Sequence, residues 1–292
     1  MAWLGAIELG GTKVIAARGD AHGDVVDQIR IDTGDDPDTT LAAAVAFLAD
    51  DEVSAVGIAD FGPLELRRDH ADYGRLRSTP KPGWSGTDLV GSVSGRLGVP
   101  VSLDTDVNAA ALAEGRWGSA VGHEHYAYIT VGTGIGGGIV SDGRLIHGLS
   151  HPELGHIPVE RASGDQFEGV CPYHGSCLEG MASGPAAESR FGQSMNTLPA
   201  DSQDEAVGLI AGYVAQGVRS LIYTFSPSIV VIGGGVSHSP RFHERVETQV
   251  ARQLAEYGAV DGQLERGLIV PPHFEHSGLH GALALAADAL AG

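Results

Sequence analysis

The chain has few cysteines, few aromatic residues and few basic residues for its 292 amino acids. The only cysteines are Cys171 and Cys177, a number that excludes a disulfide scaffold and is typical of a reducing cytoplasm. The 18 Lys and Arg residues stand against 37 Asp and Glu residues, so the formal net charge is −19. This balance argues against a nucleic-acid partner, because phosphate backbones require clustered positive charge.

The sequence also lacks the usual membrane signals. No basic region followed by an apolar core opens the chain, so we expect no signal peptide. No apolar stretch approaches the length of a membrane span, so we expect no membrane partner and a cytoplasmic location. A composition with 42% hydrophobic and 19% charged residues predicts a globular protein of one large domain or two smaller ones.

The most informative stretch runs from Val101 to Gly138. A short apolar run ends in Asp104 and Asp106, and an Ala-rich segment follows that favours a helix. A β-rich run at residues 126–131 then leads into five glycines between Gly132 and Gly138. An acid at a strand end can act as a base, and a glycine turn lets backbone N–H groups approach an anion. We expect these two sites to face each other across a cleft.

The same order of elements occurs twice along the chain. Strands are predicted at 3–7, 14–17 and 25–31, a helix at 37–50 and a strand at 53–59. The second copy has strands at 126–131, 139–141 and 145–146, a helix at 205–225 and a strand at 228–232. This repetition predicts a duplicated α/β domain. Residues 67–84 are predicted to be a surface excursion, and an apolar stripe at residues 242–254 is predicted to be core.

Three glycine clusters follow apolar strands: Gly10–Gly11, Gly132–Gly138 and Gly233–Gly235. Each alone is more often a tight turn than a ligand site. Two of them carry a threonine, Thr12 or Thr133, whose hydroxyl can donate to a phosphate oxygen beside the backbone N–H groups. Neither the P-loop spacing nor the dinucleotide-binding spacing fits these clusters.

Several motifs together resemble the ROK family of sugar kinases and repressors. They are Glu8 to Lys13, Leu103 to Ala111, Gly132 to Gly138, His151 to His156 and Cys171 to Gly180. The resemblance covers nearly the whole chain and is strongest to the bacterial fructokinases. At the position of Glu8, those enzymes have Glu as this chain does, where most of the family has Asp. They also share the Thr-Asp pair at Thr105-Asp106 and the C-x-x-H-x-x-C loop. The chain departs from the pattern at Asp60, where a small residue is usual.

The resemblance implies an α/β fold of duplicated actin-like ATPase (ribonuclease H-like) domains around a central cleft. The first domain would span residues 1–118, with the C-terminal helix, about 277–292, packing back on it. The second would span 119–276 and carry the zinc loop. ATP, Mg²⁺, a structural Zn²⁺ and a homodimer are implied with it, together with phosphorylation of D-fructose to D-fructose 6-phosphate.

Asp106 matches the general base of the family. A sugar hydroxyl is a poor nucleophile, so a carboxylate must accept its proton as it attacks phosphorus. The alternative is that Asp106 only caps the following helix. Asp104, two residues earlier on a strand, would point to the same face.

The resemblance also implies the residues that bind each ligand. Sugar hydroxyls would be bound by Asp106, Glu153, His156 and Glu179, although Glu153 could be a turn residue and Glu179 a solvated acid. Glu8 would orient magnesium through water. The nucleotide would be bound by Gly10, Gly11, Thr12, Lys13, Thr133, Gly134, Pro185, Gly233, Gly234, Gly235, Val236 and Ser237.

A metal site is predicted in the cysteine loop. Cys171, His174 and Cys177 have a C-x-x-H-x-x-C spacing, which is short enough for one ion to bind all three. His156 supplies the fourth ligand in the family pattern. Thiolates with imidazoles favour zinc at a structural site. The alternative is a pair of buried thiols beside surface histidines.

Other functions stay open within the same family. ROK repressors carry a DNA-binding segment before the first glycine motif, and here that motif starts at Glu8, so a repressor is not expected. A sugar-sensing binding protein would not need Asp106. Among enzymes, a glucokinase, a mannokinase or an N-acetylhexosamine kinase is the alternative to a fructokinase.

Overall fold

The structure is a computed structural model that describes residues 3–50, 52–257 and 267–291. Gly292, the end of the predicted C-terminal helix, lies outside the described residues. The first part of the chain forms strands and helices in this order: β1 (Trp3–Leu9), β2 (Lys13–Gly19), β3 (Val25–Asp32), α1 (Pro37–Ala49), β4 (Val53–Asp60), α2 (Leu89–Leu97), β5 (Val101–Thr105) and α3 (Asp106–Trp117).

The remaining elements form a second series. They are β6 (Tyr126–Val131), β7 (Ile135–Ser141), β8 (Arg144–Leu145), α4 (Leu178–Ala182), α5 (Gly184–Phe191), α6 (Ala200–Phe225), β9 (Ile229–Gly233), α7 (Phe242–Leu254), β10 (Ile269–Val270) and α8 (Ser277–Ala291). The described chain divides into two compact units. The first unit contains residues 1–118, 145–151 and 273–292, and the second contains 119–144 and 152–272.

Each series forms a five-stranded sheet with the same topology. The first sheet has the order β3-β2-β1-β4-β5, and the second has the order β8-β7-β6-β9-β10. In each sheet an antiparallel hairpin is extended by a parallel strand on its other side, β4 beside β1 and β9 beside β6. The duplicated α/β architecture predicted from the repeated pattern is therefore confirmed, because the two sheets have the same strand order.

Local sequence explains most element boundaries. The helix α1 begins at Pro37 after the N-cap Asp36, whose side chain accepts a hydrogen bond from the Asp38 N–H. The helix α2 ends at Leu97, and its C-cap residue Gly98 has a left-handed backbone with φ of 69°, a conformation that costs glycine little energy. On α7, the apolar stripe Phe242, Val246, Val250 and Leu254 is buried, as predicted.

Three sequence predictions differ from the structure. Gly136, Gly137 and Gly138 lie inside β7, so the turn is limited to Gly132–Gly134. The segment 67–84 is not wholly a surface excursion, because Trp84 is fully buried and its indole N–H donates to the Gly34 carbonyl at 3.1 Å. By length and composition α6 could span a membrane, contrary to the expectation of no such stretch. Its apolar side chains fill the core of the second unit instead.

The helix α8 is held in the first unit by close backbone packing. A Cβ atom on Gly57 of β4 would lie 1.8 Å from the Ala282 carbonyl oxygen, and one on Gly281 would lie 1.9 Å from that of Ala109. Only glycine permits these approaches. The start of α8 is bound by the buried Glu114 of α3, which accepts hydrogen bonds from the His273 N–H at 3.0 Å and the Ser277 hydroxyl at 2.7 Å.

We expect Gly281→Ala to lower the free energy of unfolding by about 1–3 kcal/mol, because α8 or α3 must move to accept the new methyl group. The matched control is Gly95→Ala in α2, where no described atom outside the adjoining backbone of the same helix lies within 4 Å of the new Cβ. The control gains helix propensity and is expected to hold or raise stability. Urea unfolding followed by circular dichroism measures both variants. Equal stabilities would contradict the packing argument.

Candidate active site

The acids of the first unit meet at one edge of its sheet. The strands β1, β4 and β5 run parallel, so their carboxyl ends share an edge. The register pairs Leu9 with Asp60, and Asp60 with Thr105. Glu8, Asp60 and Asp106 are therefore brought to the same edge, as expected for ligand-binding residues in sheets of this kind.

Asp106 is the first residue of α3 and is partly buried. The N-cap is Thr105, whose hydroxyl oxygen accepts from the Asn108 N–H at 3.3 Å. The alternative interpretation of Asp106 as the helix cap is therefore wrong. One Asp106 carboxylate oxygen accepts from the Val107 N–H at 2.8 Å. A carboxylate at this position is stabilised by the positive end of the helix dipole.

Two acids near Asp106, Glu8 and Asp60, have raised pKa values. Burial, with the nearby charge of Asp106 as the second cause, raises the pKa of Glu8 to about 7, and Lys13 opposes this shift. Burial raises the pKa of Asp60 to about 8, against the effect of the Gly62 N–H, which donates to Asp60 Oδ1 at 2.6 Å. Asp60 Oδ2 is buried without a hydrogen-bond partner. Near neutral pH, Asp60 is therefore a neutral acid beside Asp106.

Asp104 lies at the centre of a hydrogen-bond network that includes a residue not predicted from the sequence. Its Oδ1 accepts from the Asn108 amide at 2.6 Å and from the Thr105 N–H at 2.8 Å. Its Oδ2 lies 2.6 Å from Nε2 of His147. This contact raises the pKa of His147. Because His147 lies 43 positions away along the chain, no local sequence signal could have identified it.

The hairpin between β1 and β2 contains Gly10, Gly11, Thr12 and Lys13. The Gly10 N–H donates to the Lys13 carbonyl at 2.9 Å, and Thr33 binds the carbonyls of Gly10 and Thr12. Gly11 and Thr12 are exposed at the tip of this turn. The turn is thus fixed from behind by Thr33, and its tip is accessible.

The second unit brings the remaining glycine motifs together. The Gly184 N–H donates to the Gly132 carbonyl at 2.7 Å, which places Pro185, at the start of α5, beside the turn that contains Thr133. A Cβ atom on Gly132 would lie 3.8 Å from the Gly235 nitrogen. Gly234 has φ of 88° and opens a short 3₁₀ helix whose Val236 and Ser237 are buried. The three glycine segments around Gly132, Gly184 and Gly235 are therefore neighbours within the unit.

The predicted sugar-binding acids of this unit have different environments. Glu179, in α4, is partly buried, and its Oε2 accepts from the Ile135 N–H at 3.0 Å. The alternative of a solvated acid is therefore wrong for Glu179. Glu153 is exposed and precedes a 3₁₀ helix at Leu154–His156, where its carbonyl accepts from the His156 N–H.

Four side chains of the second unit form a group that could hold a metal ion. The ligand atoms of His156, Cys171, His174 and Cys177 all lie within 4.8 Å of one another. The His156 Nδ1 lies 3.8 Å from the Cys171 sulfur and 3.7 Å from the Cys177 sulfur. A tetrahedral zinc with ordinary bond lengths would separate such a nitrogen and sulfur by about 3.5 Å. The donor set and its spacing therefore fit a zinc ion.

The loop that carries these ligands is tightly built. The backbones of Cys171 and Gly175 are hydrogen-bonded to each other, and Cys177 is the N-cap residue of α4. Both cysteines are buried and free of disulfide bonds. Burial raises the pKa of the Cys177 thiol, so the thiol stays protonated in the absence of a cation.

The paired sheets, the strand-end acids and the glycine turns are those of an actin-like, ribonuclease H-like ATPase fold, which was the predicted fold class. The solved ROK hexokinase of Thermus thermophilus matches with a TM-score of 0.80 and 28% identity, over 99% of this chain and 100% of that one. The ROK glucokinase of Streptomyces griseus, solved with glucose and AMPPNP, matches with a TM-score of 0.80 and 27% identity, over 98% of this chain and 100% of that one.

The ROK family model matches residues 4–289, and the chain belongs to this family. A fructokinase of Zymomonas mobilis is 40% identical over 289 residues, which are 97% of this chain and 95% of that protein. The resemblance predicted from the sequence motifs is confirmed.

We expect Asp60→Asn to stabilise the protein more at pH 8 than at pH 5. The unfolded chain releases the Asp60 proton near its ordinary pKa of 3.8, whereas the folded protein keeps it up to about pH 8. Stability therefore falls as pH rises through this window, and asparagine removes the effect while keeping an acceptor for the Gly62 N–H. Thermal unfolding at both pH values measures the difference. The control is the exposed Asp69→Asn, and an equal Asp60→Asn effect at both pH values would contradict the assignment.

Proposed function

We propose that this chain is an ATP-dependent fructokinase that converts D-fructose to D-fructose 6-phosphate. The observation that carries the proposal is the 40% identity to a fructokinase over nearly the whole chain, with Thr105-Asp106 in place at the sheet edge. The glucokinase with a similar fold is 27% identical. Glucose, mannose and N-acetylhexosamines are the alternative substrates within the same family.

In the proposed reaction Asp106 acts as the general base. Its carboxylate accepts the proton of the sugar 6-hydroxyl as that oxygen forms a bond to the γ-phosphorus of ATP. The bond between the γ-phosphorus and the oxygen that bridges to the β-phosphate breaks, and ADP leaves with the electron pair. The neutral state of Asp60 supports this role, because one fewer negative charge then surrounds the carboxylate that must act.

We propose that the glycine turns bind the nucleotide. Gly10, Gly11, Thr12 and Lys13 of the first unit and Thr133 and Gly134 of the second would bind phosphate oxygens through N–H, hydroxyl and ammonium groups. Pro185, Gly233, Gly234, Gly235, Val236 and Ser237 would line the nucleotide's other side. The exposure of Gly11, Thr12 and Thr133 supports this assignment.

The sugar hydroxyls are assigned to Asp106, Glu153, His156 and Glu179. In the imidazole ring of His156, Nδ1 faces the cysteine sulfurs, so Nε2 on the other side of the ring is the atom that could bind a hydroxyl. In Glu179 one oxygen already accepts from the Ile135 N–H, which holds the carboxylate in a fixed orientation.

Magnesium would neutralise charge that develops on the transferred phosphoryl group. Among the described residues, the set close enough to hold an ion directly is the His and Cys group of the second unit. We therefore propose that Glu8 orients magnesium through water. A bound cation would lower the pKa of Glu8 from about 7 and so favour its ionised carboxylate.

We further propose that the ion in the His and Cys group is structural zinc, that the enzyme works as a homodimer and that it resides in the cytoplasm. Zinc bound by His156, Cys171, His174 and Cys177 would fix the chain between Glu153 and Glu179, which includes the proposed sugar-binding acids. The free cysteines are consistent with a reducing compartment.

The proposal predicts that D-fructose is the best substrate in a panel of hexoses supplied with ATP and magnesium. We expect kcat/KM for fructose to exceed that for glucose or mannose by about tenfold or more, because sites that hydrogen-bond specific hydroxyls discriminate strongly. A coupled ADP-release assay measures the rates, and phosphorus NMR identifies the product. A higher kcat/KM for glucose would overturn the assignment to fructose.

The control variant for this assay is Asp106→Asn. It keeps the side-chain shape and the acceptor for the Val107 N–H but cannot take a proton. Turnover should fall by about a hundred- to ten-thousand-fold, while calorimetry still detects binding of ATP and fructose. Near-normal turnover of the variant would exclude Asp106 as the base.

We expect about one zinc ion per chain in the purified protein and none in a Cys171→Ser, Cys177→Ser double variant. Because metal binding is coupled to folding, the variant should also unfold at a lower temperature and bind sugar more weakly. Elemental analysis and calorimetry measure these changes, and Tyr173→Ala, an exposed residue of the same loop, is the control. Unchanged zinc in the double variant would rule the site out.

A further inference from the structure

A buried carboxylate supports the start of the helix that presents Asp106. The side chain of Asp104 is only 5% exposed, and its two oxygens are bound by three donors. Two of these donors, Thr105 and Asn108, immediately flank Asp106 and Val107 in the chain. The position of Asp104 therefore fixes the residues on both sides of the proposed base.

The third donor comes from a distant segment. Residues 145–151 belong to the first unit, although the chain on either side of them belongs to the second. Two histidines hold this segment in place. The imidazole of His147 binds Asp104 at 2.6 Å, and the imidazole of His151 accepts from the Leu64 N–H at 3.3 Å. A segment with so little secondary structure depends on such contacts for its position.

The contact between His147 and Asp104 is strong by two measures. Its length of 2.6 Å is short for a nitrogen–oxygen pair, as is typical of a charge-assisted hydrogen bond. The partner carboxylate is nearly inaccessible to water, so an unpaired charge there would be costly. A positively charged His147 therefore offsets the negative charge of a carboxylate at Asp104. This matters at the sheet edge, where Glu8, Asp60 and Asp106 are also acids.

We propose that His147 is a positioning residue for phosphoryl transfer. Through Asp104 and Asn108 it holds the first turn of α3, and its positive charge balances that of Asp104 beside the base. This inference rests on the proposed role of Asp106 as the base. His147 itself does not take the substrate proton, because its Nε2 is already bound to Asp104 and the protonated imidazole is the state that this contact favours.

The titratable groups that lie near Asp104 and Asp106 come from several elements. Besides His147 they are Glu8 of β1, Asp60 of β4, Lys13 of β2 acting on Glu8, and Tyr73 of the loop before α2, which faces Asp104. Glu8 and Asp60 are acids, whereas His147 and Lys13 are cationic side chains that act on this group. Loss of the His147 charge should therefore raise the pKa of the base, because an unbalanced neighbouring anion disfavours ionisation.

The test compares His147→Gln, which keeps a hydrogen-bond donor without charge, with His147→Arg, which keeps both. For His147→Gln we expect kcat to fall about tenfold, the KM for ATP to stay within twofold, and the acid limb of the kcat–pH profile to move up by about half a pH unit or more. For His147→Arg the acid limb should return to its original position. The control is His125→Gln, a half-exposed histidine of the second unit that lies 3.7 Å from Asp142.

A double variant tests whether the contact acts as a unit. Once Asp104→Asn is present, adding His147→Gln should change kcat by less than about twofold. Three results would overturn the proposal: an unchanged kcat in His147→Gln, a lower kcat without movement of the acid limb, or a collapse to the level of Asp106→Asn. The last would indicate that His147 takes the proton itself. Failure of the unmodified protein to phosphorylate any hexose would instead contradict the proposed function.

Discussion

The crowding of like charges at one sheet edge is the constraint on which the first unit depends. Glu8, Asp60, Asp104 and Asp106 all lie where parallel strands end. At an effective dielectric constant near 20, two unit charges about 5 Å apart repel by roughly 3 kcal/mol. A few such pairs would equal the whole stability of an ordinary domain, which is about 5–15 kcal/mol. The four acids cannot all remain charged and unpaired.

The structure reduces this repulsion in a different way for each acid. Burial disfavours the charged forms of Asp60 and Glu8, so the pKa of Asp60 rises to about 8 and that of Glu8 to about 7. Asp104 is paired with the imidazole of His147 and bound by the amide of Asn108. Asp106 stands at the N-terminus of α3, where the helix dipole favours a carboxylate.

The candidate site residues of the second unit differ from the crowded carboxylates of the first. They consist mainly of backbone groups in glycine turns and of His and Cys side chains. The turns around Gly132, Gly184 and Gly235 meet through hydrogen bonds and close approaches that a larger residue would disturb. The side chains of His156, Cys171, His174 and Cys177 meet in the neighbouring loop, with ligand atoms within 4.8 Å of one another. Glu179 connects the two features, because it follows Cys177 in the chain and its carboxylate binds the Ile135 N–H at the end of the glycine turn.

The sequence by itself determined the duplicated α/β plan, the positions of the glycine clusters and the close spacing of Cys171, His174 and Cys177, since these depend on short spacings and local periodicity. The assignments of Asp106 as the candidate base and of His156 as a fourth ligand came from the resemblance of the motifs to the ROK family. Only the tertiary structure decided the environment of each group. The Asp60 carboxyl is neutral near pH 7 because it is fully buried, and the hydrogen bond of His147 joins residues 43 positions apart. Likewise Trp84 is core and not surface, because its indole reaches Gly34. Burial and long-range pairing arise from packing between distant segments, which local patterns do not encode.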